Sequence, residues 1–507
     1  MTAMALKLSV NLAFNDKCHD EIAFLILANS IILIFIISTN ITIILIILPV
    51  GNTLGMMKEQ VGKDSSRILC NFSGMTYVID KKRKYLFSNA LIIKILFKFE
   101  LIIIHNIMNR TFFSETDSKN AALKRQIINL CIESGSYSIA ELSSKINASV
   151  PTVTKLINEL IEEGFLQDLG KQGTTGGRRP SIFGLNPEAG YFIGVDIARQ
   201  HFHIAICDFK GELVDFIQDI EFVLKDNPES FRALCQMIRT SVTRTGRTWD
   251  HVLGVGVSLS GRVNPEKGYS LTYFVTEDIP LKDFLEKELD VPVSIENDSR
   301  AMAYGEYLKS VKDEKNMIFV NISWGLGMGM ILDGRLYYGK SGFSGEIGHF
   351  PILDNDLLCR CGKKGCLETG ASGSALHRMI IERLEKGQTS SLSKIYEENG
   401  DVTLDEILKA VEDEDVLAID GIGDIGDALG RGIAGIINIF NPGLVIVGGR
   451  LIVGGDYLML PVKTAVNKLS LHRVSSDTTI KFSKLGRKAA SIGDCLLSRS
   501  KLLGLPR

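Results

Sequence analysis

Ten residues after His349 the chain reads Cys359-Arg-Cys361-Gly-Lys-Lys-Gly-Cys366, and no other run narrows the choice of fold as much. Three thiolates and one imidazole form a closed tetrahedral donor set for Zn²⁺. A site with no open coordination position is structural rather than catalytic. His349, Cys359, Cys361 and Cys366 are therefore the expected metal ligands, and Gly362 and Gly365 allow the backbone to curl around the ion. The other six of the nine cysteines are scattered. That is not the spacing of a secreted disulfide scaffold, and it points to a reducing cytoplasm with one local metal clip. Formal net charge is only −2, so any nucleic-acid binding must come from a local basic patch.

The first hundred residues differ from the rest. No charged residue occurs from Ile22 to Met57, and isoleucine dominates. The length exceeds the roughly 20 residues that cross a bilayer, so the run is a candidate transmembrane helix and N-terminal membrane anchor. It is too long for a signal peptide and has no small-residue cleavage site. Lys7 and Lys17 on one side balance Lys58 and Lys63 on the other, so no orientation follows. Asn29, Ser30, Ser38, Thr39, Asn40 and Thr42 interrupt the run, and residues 89–109 repeat its bias. Translation of A/T-rich sequence upstream of a true start yields the same composition, and Met108 stands just before the first well-patterned segment. Both readings stay open here.

From Ala121 the pattern changes. Leu123, Ile127, Ile128 and Cys131 fall on one face of a helix that Gly135 breaks. Ser138 to Glu141 is a capping box for a short second helix. Ser149 caps a third, with Pro151 in its first turn and a stripe of Val153, Leu156, Ile157, Leu160 and Ile161. Two short strands, 165–169 and 181–185, flank a glycine-rich loop. Three helices and a two-stranded wing make a winged helix-turn-helix. Thr152, Thr154, Lys155 and Asn158 lie off the apolar stripe, where they reach base edges and phosphates in a major groove. The wing carries Lys171, Arg178 and Arg179 without an acidic residue, a cationic tip suited to a narrow minor groove.

Beyond Gly190, strand-like runs at 191–197, 203–208, 213–220, 252–259, 293–296, 317–322 and 444–447 alternate with helical stretches, indicating an α/β fold in two lobes. Asn297 and Asp298 stand where a strand runs into a helix. A carboxylate at such a junction can take a proton from a sugar hydroxyl during phosphoryl transfer, and the amide can bond a second hydroxyl. Trp324-Gly-Leu-Gly-Met-Gly329 is a glycine-alternating turn that exposes N–H groups to phosphate or is simply a hairpin. Gly345-Glu346-Ile-Gly-His349 leads into the clip and Leu367-Glu368 leaves it, so the clip fixes two carboxylates and an imidazole near one another.

The run from Gly345 to Glu368 closely resembles the signature of the ROK family of repressors, open reading frames and kinases: Gly-Glu-x-Gly-His, then Cys-x-Cys-Gly-x-x-Gly-Cys-x-Glu. Every position matches. The resemblance covers residues from about 120 onward, including the winged helix of the repressor branch. It implies an actin/hexokinase-type fold of two lobes around a cleft, in a homodimer or homotetramer. Four segments follow: an N-terminal extension (1–117), a winged helix (118–188), a first lobe (190–305) onto which a C-terminal helix (488–507) packs back, and a second lobe (306–487) with the zinc clip. The resemblance also implies that Asn297, Asp298, Glu346, His349 and Glu368 contact a sugar, with Asp298 matching the catalytic base. His349 serves both sugar and zinc if one ring nitrogen faces each. Asp196, Gly325, Gly327, Gly448 and Gly449 match the nucleotide side.

The kinase pattern fails in two places. Family kinases open with an Asp-x-Gly-Gly-Thr phosphate loop, and here the run is Asp196-Ile-Ala-Arg199-Gln200. Trp324 stands where kinases carry a threonine. Phosphoryl transfer depends on positioning and electrostatic support, so ATP and Mg²⁺ are not expected as cofactors. The combined expectation is a transcriptional repressor of sugar-utilisation genes: operator DNA binds the winged helix, and a sugar or sugar phosphate binds the cleft. An ATP-dependent, glucokinase-like sugar kinase with a regulatory N-terminal domain is the alternative, and a membrane-tethered regulator is the third.

Overall fold

The computed structural model describes residues 119–171, 180–275, 279–311 and 313–505, together with six strands between residues 21 and 80. The chain divides into two compact units, Met1–Lys98 and Phe99–Arg507.

In the first unit the isoleucine-rich run is not a helix. Strands Glu21–Leu27, Ser30–Ile36 and Ile44–Pro49 form an antiparallel sheet, with Leu27 opposite Ser30 and Ser30 opposite Pro49. The expected transmembrane helix is corrected accordingly. β-Branched isoleucine and threonine lose rotamer freedom in a helix and fit a pleated surface. Strands Glu59–Gln60, Arg67–Phe72 and Met75–Asp80 form a second sheet. Among the described residues no helix is long and apolar enough to cross a membrane. Residues 89–109 and the candidate start at Met108 lie outside the described residues.

The second unit opens with helix α1 (Lys119–Ser134), strand β1 (Ser136–Ser138), α2 (Ile139–Lys145), α3 (Val150–Glu162), β2 (Leu166–Lys171) and β3 (Ser181–Leu185). Both sides of the capping box form: Glu141 N–H donates to Ser138 Oγ at 3.3 Å, and Ser138 N–H donates to Glu141 Oε2 at 2.8 Å. Thr152 N–H donates to the Ser149 cap. Val153, Leu156, Ile157 and Leu160 are buried as a stripe. β1 pairs with β3, making a three-stranded sheet where the sequence showed two strands. Lys124 on α1 reaches Glu163 at 2.5 Å and Glu159 at 2.9 Å, tying α1 to the end of α3.

The first lobe comprises β4 (Tyr191–Ile197), β5 (His201–Asp208), β6 (Leu213–Glu221), α4 (Pro228–Arg244), β7 (Val252–Leu259), α5 (Leu281–Leu289), β8 (Val293–Asn297) and α6 (Asp298–Ser310). Its sheet order is β6-β5-β4-β7-β8, with β4, β7 and β8 parallel. α4 and α5 cover one face through Phe231, Leu234, Ile238, Phe284 and Leu285. The second lobe comprises β9 (Met317–Ile322), β10 (Leu326–Leu332), β11 (Arg335–Leu336), α7 (Gly373–Glu385), α8 (Val416–Phe440), β12 (Leu444–Gly448), α9 (Gly455–Leu469) and β13 (Thr479–Phe482), with sheet order β11-β10-β9-β12-β13. The last helix, α10 (Ala489–Leu503), lies on the other face of the first sheet, and α6 packs against both α10 and β10. The two helices touch at backbone distance: a Cβ on Gly493 would come within 1.9 Å of Ala301 O. The two sheets are thus joined through a pair of helices, and α6 begins with Asp298.

Candidate functional site

The clip forms as a cluster. The donor atoms of His349, Cys359, Cys361 and Cys366 all lie within 4.8 Å of one another. Cys359 Sγ is 3.5 Å from His349 Nδ1, and Cys361 and Cys366 Sγ are 3.6 Å apart. Gly362 and Gly365 adopt φ of +82° and +70°. A Cβ on Gly365 would also strike Leu353 O, so glycine is required there twice over. Cys359 N–H donates to Lys363 O, and Leu367 N–H donates to Phe350 O, closing the turn on itself. The donor set fits a tetrahedral zinc, which would hold three thiolates together and fix the loop. His349 presents its other nitrogen, Nε2, to Glu346 Oε2 at 3.7 Å. The two faces of one imidazole thus serve the clip and the acidic side separately.

Asn297 and Asp298 sit at the β8–α6 junction. Asn297 Oδ1 accepts the Ser299 and Arg300 N–H groups as an N-cap, and its Nδ2 donates to Gly261 O and to Asp298 Oδ1. Burial raises the Asp298 carboxyl above its ordinary range, against the pull of the Ser299 N–H. Asp196, at the end of β4, is pushed to about 7 by burial and then by the Asp298 charge, with the Ser258 hydroxyl at 3.4 Å opposing. Two further residues, Asp494 and Arg300, were not among the expected site residues. Asp494 on α10 is fully buried near Asp196 and Ser258, and its carboxyl is held well above the normal range by burial and by the charges of Asp196 and Glu296. Arg300 is buried as a bracket: Nε donates to Glu296 at 2.7 Å, Nη1 to Gly342 O and Nη2 to Val263 O. It thereby holds the start of α6 against the loop leading to Gly345. The i,i+4 spacing of Glu296 and Arg300 across a strand–helix junction was the only available signal. Glu368 is buried beside the clip, where its Oε2 accepts the Leu326 N–H and its Oε1 faces Arg360 Nε at 3.3 Å.

The two departures from the kinase pattern, Arg199 and Trp324, meet in the structure. Arg199, at the β4–β5 turn of the first lobe, places its guanidinium 4.9 Å from the centre of the Trp324 ring in the second. The glycine alternation serves packing. A Cβ on Gly327 would lie 2.1 Å from Ser299 Oγ, and one on Gly329 would strike Ala303, so β10 lies directly on α6. Gly325 leaves space for the Glu368 carboxylate, Gly448 for the Phe319 ring, and Gly449 for Ile322 O and Asn321.

Residues 192–501 match the ROK family and residues 121–167 a winged helix-turn-helix DNA-binding family. The chain belongs to the ROK family. A xylose repressor from Caldicellulosiruptor bescii is 28% identical over 386 residues, covering 76% of this chain and 96% of that protein. The crystal structure of a ROK family transcriptional regulator, a homologue of the E. coli MLC protein, superposes with a TM-score of 0.64 at 27% identity, covering 75% of this chain and 96% of its own. A ROK family glucokinase from Streptomyces griseus, in complex with glucose and AMPPNP, superposes with a TM-score of 0.53 at 26% identity. It covers 61% of this chain and all of its own.

In front of the ROK domain, α3 presents Lys155 and Asn158 to solvent. Thr152 and Thr154 are partly engaged within the helix: Thr152 Oγ1 is 2.8 Å from Ser149 Oγ, and Thr154 Oγ1 donates to Val150 O. Lys171 is exposed at the end of β2, whereas Arg178 and Arg179 lie outside the described residues. Within the first ROK lobe, His201, His203 and Asp219 form a second group of ligand-type side chains within 4.8 Å. Arg487 already holds Asp219 at 2.6 Å, and Asp219 N–H donates to His203 Nδ1. Burial, then the neighbouring His201 and the charges of Arg487 and Arg450, lower His203 to about 4. A divalent cation would have to displace an arginine in a field that is already positive. The group is better explained as pairing that ties β5 and β6 to the start of α10.

Proposed function

We propose that this protein is a DNA-binding transcriptional repressor of sugar-utilisation genes whose ROK domain senses a sugar. The observation that carries the reading is the Arg199–Trp324 stack, which joins the two lobes at positions where a kinase approaches phosphate. Asn297, Asp298, Glu346, His349 and Glu368 are the sugar contacts in this reading, held in place by Arg300 and by a structural zinc on His349, Cys359, Cys361 and Cys366. Rigid support of polar groups is what hydroxyl recognition requires. Operator DNA binds α3 and the wing, in a homodimer or homotetramer in the cytoplasm. Sugar binding closes the lobes and weakens operator binding.

Electrophoretic retardation of the full chain on the DNA upstream of its own gene, with and without sugars, tests this. Sequence-preferring binding that a sugar relieves is expected, and absence of any preference for that DNA sinks the repressor reading. The kinase reading makes a separate demand. Coupled ATP turnover on a hexose panel at or above about 1 per second, the lower end of the kinase range, would favour the enzyme.

A further inference from the structure

A cavity of about 330 Å³ opens beside the sugar contacts, lined by Trp324, Arg360, Glu368, Thr369, Ser374 and Arg378 among others. Asn297, Asp298, Glu346 and His349 do not line it, and Glu368 does. It therefore adjoins the proposed monosaccharide site through one shared carboxylate. Its volume lies at the lower end of the range of small-molecule sites.

The lining decides what chemistry it takes. Each guanidinium is already neutralised: Arg360 faces Glu368 at 3.3 Å, and Arg378 pairs with Glu382 at 2.9 Å while donating to Thr369 O. The start of α7 offers little to an anion. Gly373 N–H donates to Ser323 O, Ser374 N–H to Trp324 O, and Ala375 N–H to Ser372 Oγ. A phosphate would meet balanced charge and occupied amides. What remains is an apolar wall of Trp324, Leu357 and Leu358 with hydroxyls and paired charged groups around it. That combination suits a neutral polyol ring, whose C–H face packs on an aromatic surface while its hydroxyls take hydrogen bonds at the edge.

We propose that this cavity is a second carbohydrate subsite. The effector is then a neutral disaccharide or longer saccharide, with one ring at Asn297 and Asp298 and the next against Trp324. This rests on the sugar-sensor reading and adds the size and charge of the ligand to it. The Arg199 guanidinium stands on the same indole, so a ring seated there also reports to the β4–β5 turn of the other lobe.

The test is isothermal titration of the full chain with D-xylose, D-glucose, xylobiose, cellobiose, maltose and glucose 6-phosphate. Only two tryptophans occur, so Trp249→Phe leaves Trp324 as the sole indole for a parallel fluorescence titration. At least one disaccharide is expected to bind about ten-fold tighter than its own monosaccharide, a difference of about 1.4 kcal/mol, and to shift Trp324 emission. Trp324→Ala and, independently, Arg378→Gln are expected to erase that advantage, with folding of each variant checked by operator retardation. Disaccharides no tighter than monosaccharides, glucose 6-phosphate as the tightest ligand, or an advantage that survives both substitutions would each overturn the subsite while leaving the sensor reading in place. If no sugar binds a chain that still retards its operator, both readings fall.

Discussion

Asp196 is a buried carboxylate whose titration is moved into the neutral pH range. Its carboxyl is raised to about 7, first by burial and then by the Asp298 charge. The folded chain therefore holds a proton there that the unfolded chain gives up near pH 4. Between those limits the native state binds more protons, so stability falls as pH rises from about 4 to about 7 and then levels off. Asp494 adds in the same direction. Asp196→Asn should raise the melting temperature at both pH 5 and pH 8, and clearly more at pH 8, by roughly 2–4 °C for each kcal/mol relieved. Thermal denaturation at the two pH values checks this, and an equal shift at both would show that the carboxyl is not the titrating group. Arg300 has the opposite character. Its removal by Arg300→Met leaves Glu296 buried without its partner, and loss of one member of such a pair costs about 3–5 kcal/mol. Denaturant unfolding should show that loss, and Glu296→Gln combined with Arg300→Met should recover part of it.

The helices of the DNA-binding segment follow from local rules, and their recognition surface is narrower than their composition implies. The Thr154 hydroxyl is spent on Val150 O, whereas Asn158 and Lys155 project to solvent. Asn158→Ala is expected to relax operator preference at a cost of about 1–3 kcal/mol, and Lys155→Ala to weaken all DNA alike with a shallower salt dependence. Thr154→Ala should do little, and retardation across a salt series separates the three. Elements of this kind were legible beforehand because their causes lie within a few residues: the Ser138–Glu141 box, the Ser149 cap and the Cys359–Cys366 turn each close on themselves. Strand β1 escaped notice because Ser136-Tyr-Ser138 is only three residues long, too short for its alternation to register as a pattern. The isoleucine-rich run misled because an uncharged, mainly apolar composition does not choose between helix and strand, and its β-branching was the feature that pointed to the sheets found. Pairings across the fold were illegible for a different reason. Lys124 meets Glu163 across 39 positions, Asp494 reaches Asp196 only because α10 returns to the first sheet, and Arg199 meets Trp324 only because two lobes face each other. Topology, not local pattern, sets those neighbours.

At the scale of the whole second unit, the DNA-binding segment and the cleft share one continuous core. Phe165 leaves the end of α3 and packs on Phe209 at 5.4 Å, and Phe209 stacks on Phe192 at 6.4 Å. Phe192 lies on β4, on the same face as Asp196 four residues along, because strand side chains alternate with a period of two. A single strand therefore carries a cleft carboxylate at one end and the support of the recognition helix at the other. A shift of β4 when the cleft takes a ligand moves the floor on which α3 stands. Phe209→Leu keeps an apolar side chain at a buried position, so the fold should survive, but it removes the aromatic contact on both sides. Operator affinity without sugar is expected to stay within a few-fold of the parent. The change in affinity caused by sugar, within the 5–150-fold span usual for coupled sites, should shrink by at least half on a logarithmic scale. Phe222, which packs on Phe202 in the same lobe but does not face the winged helix, supplies the control through Phe222→Leu. If both substitutions damp the response equally, general loosening of the lobe is responsible. If neither does, coupling reaches the operator by a route other than Phe165 and Phe209.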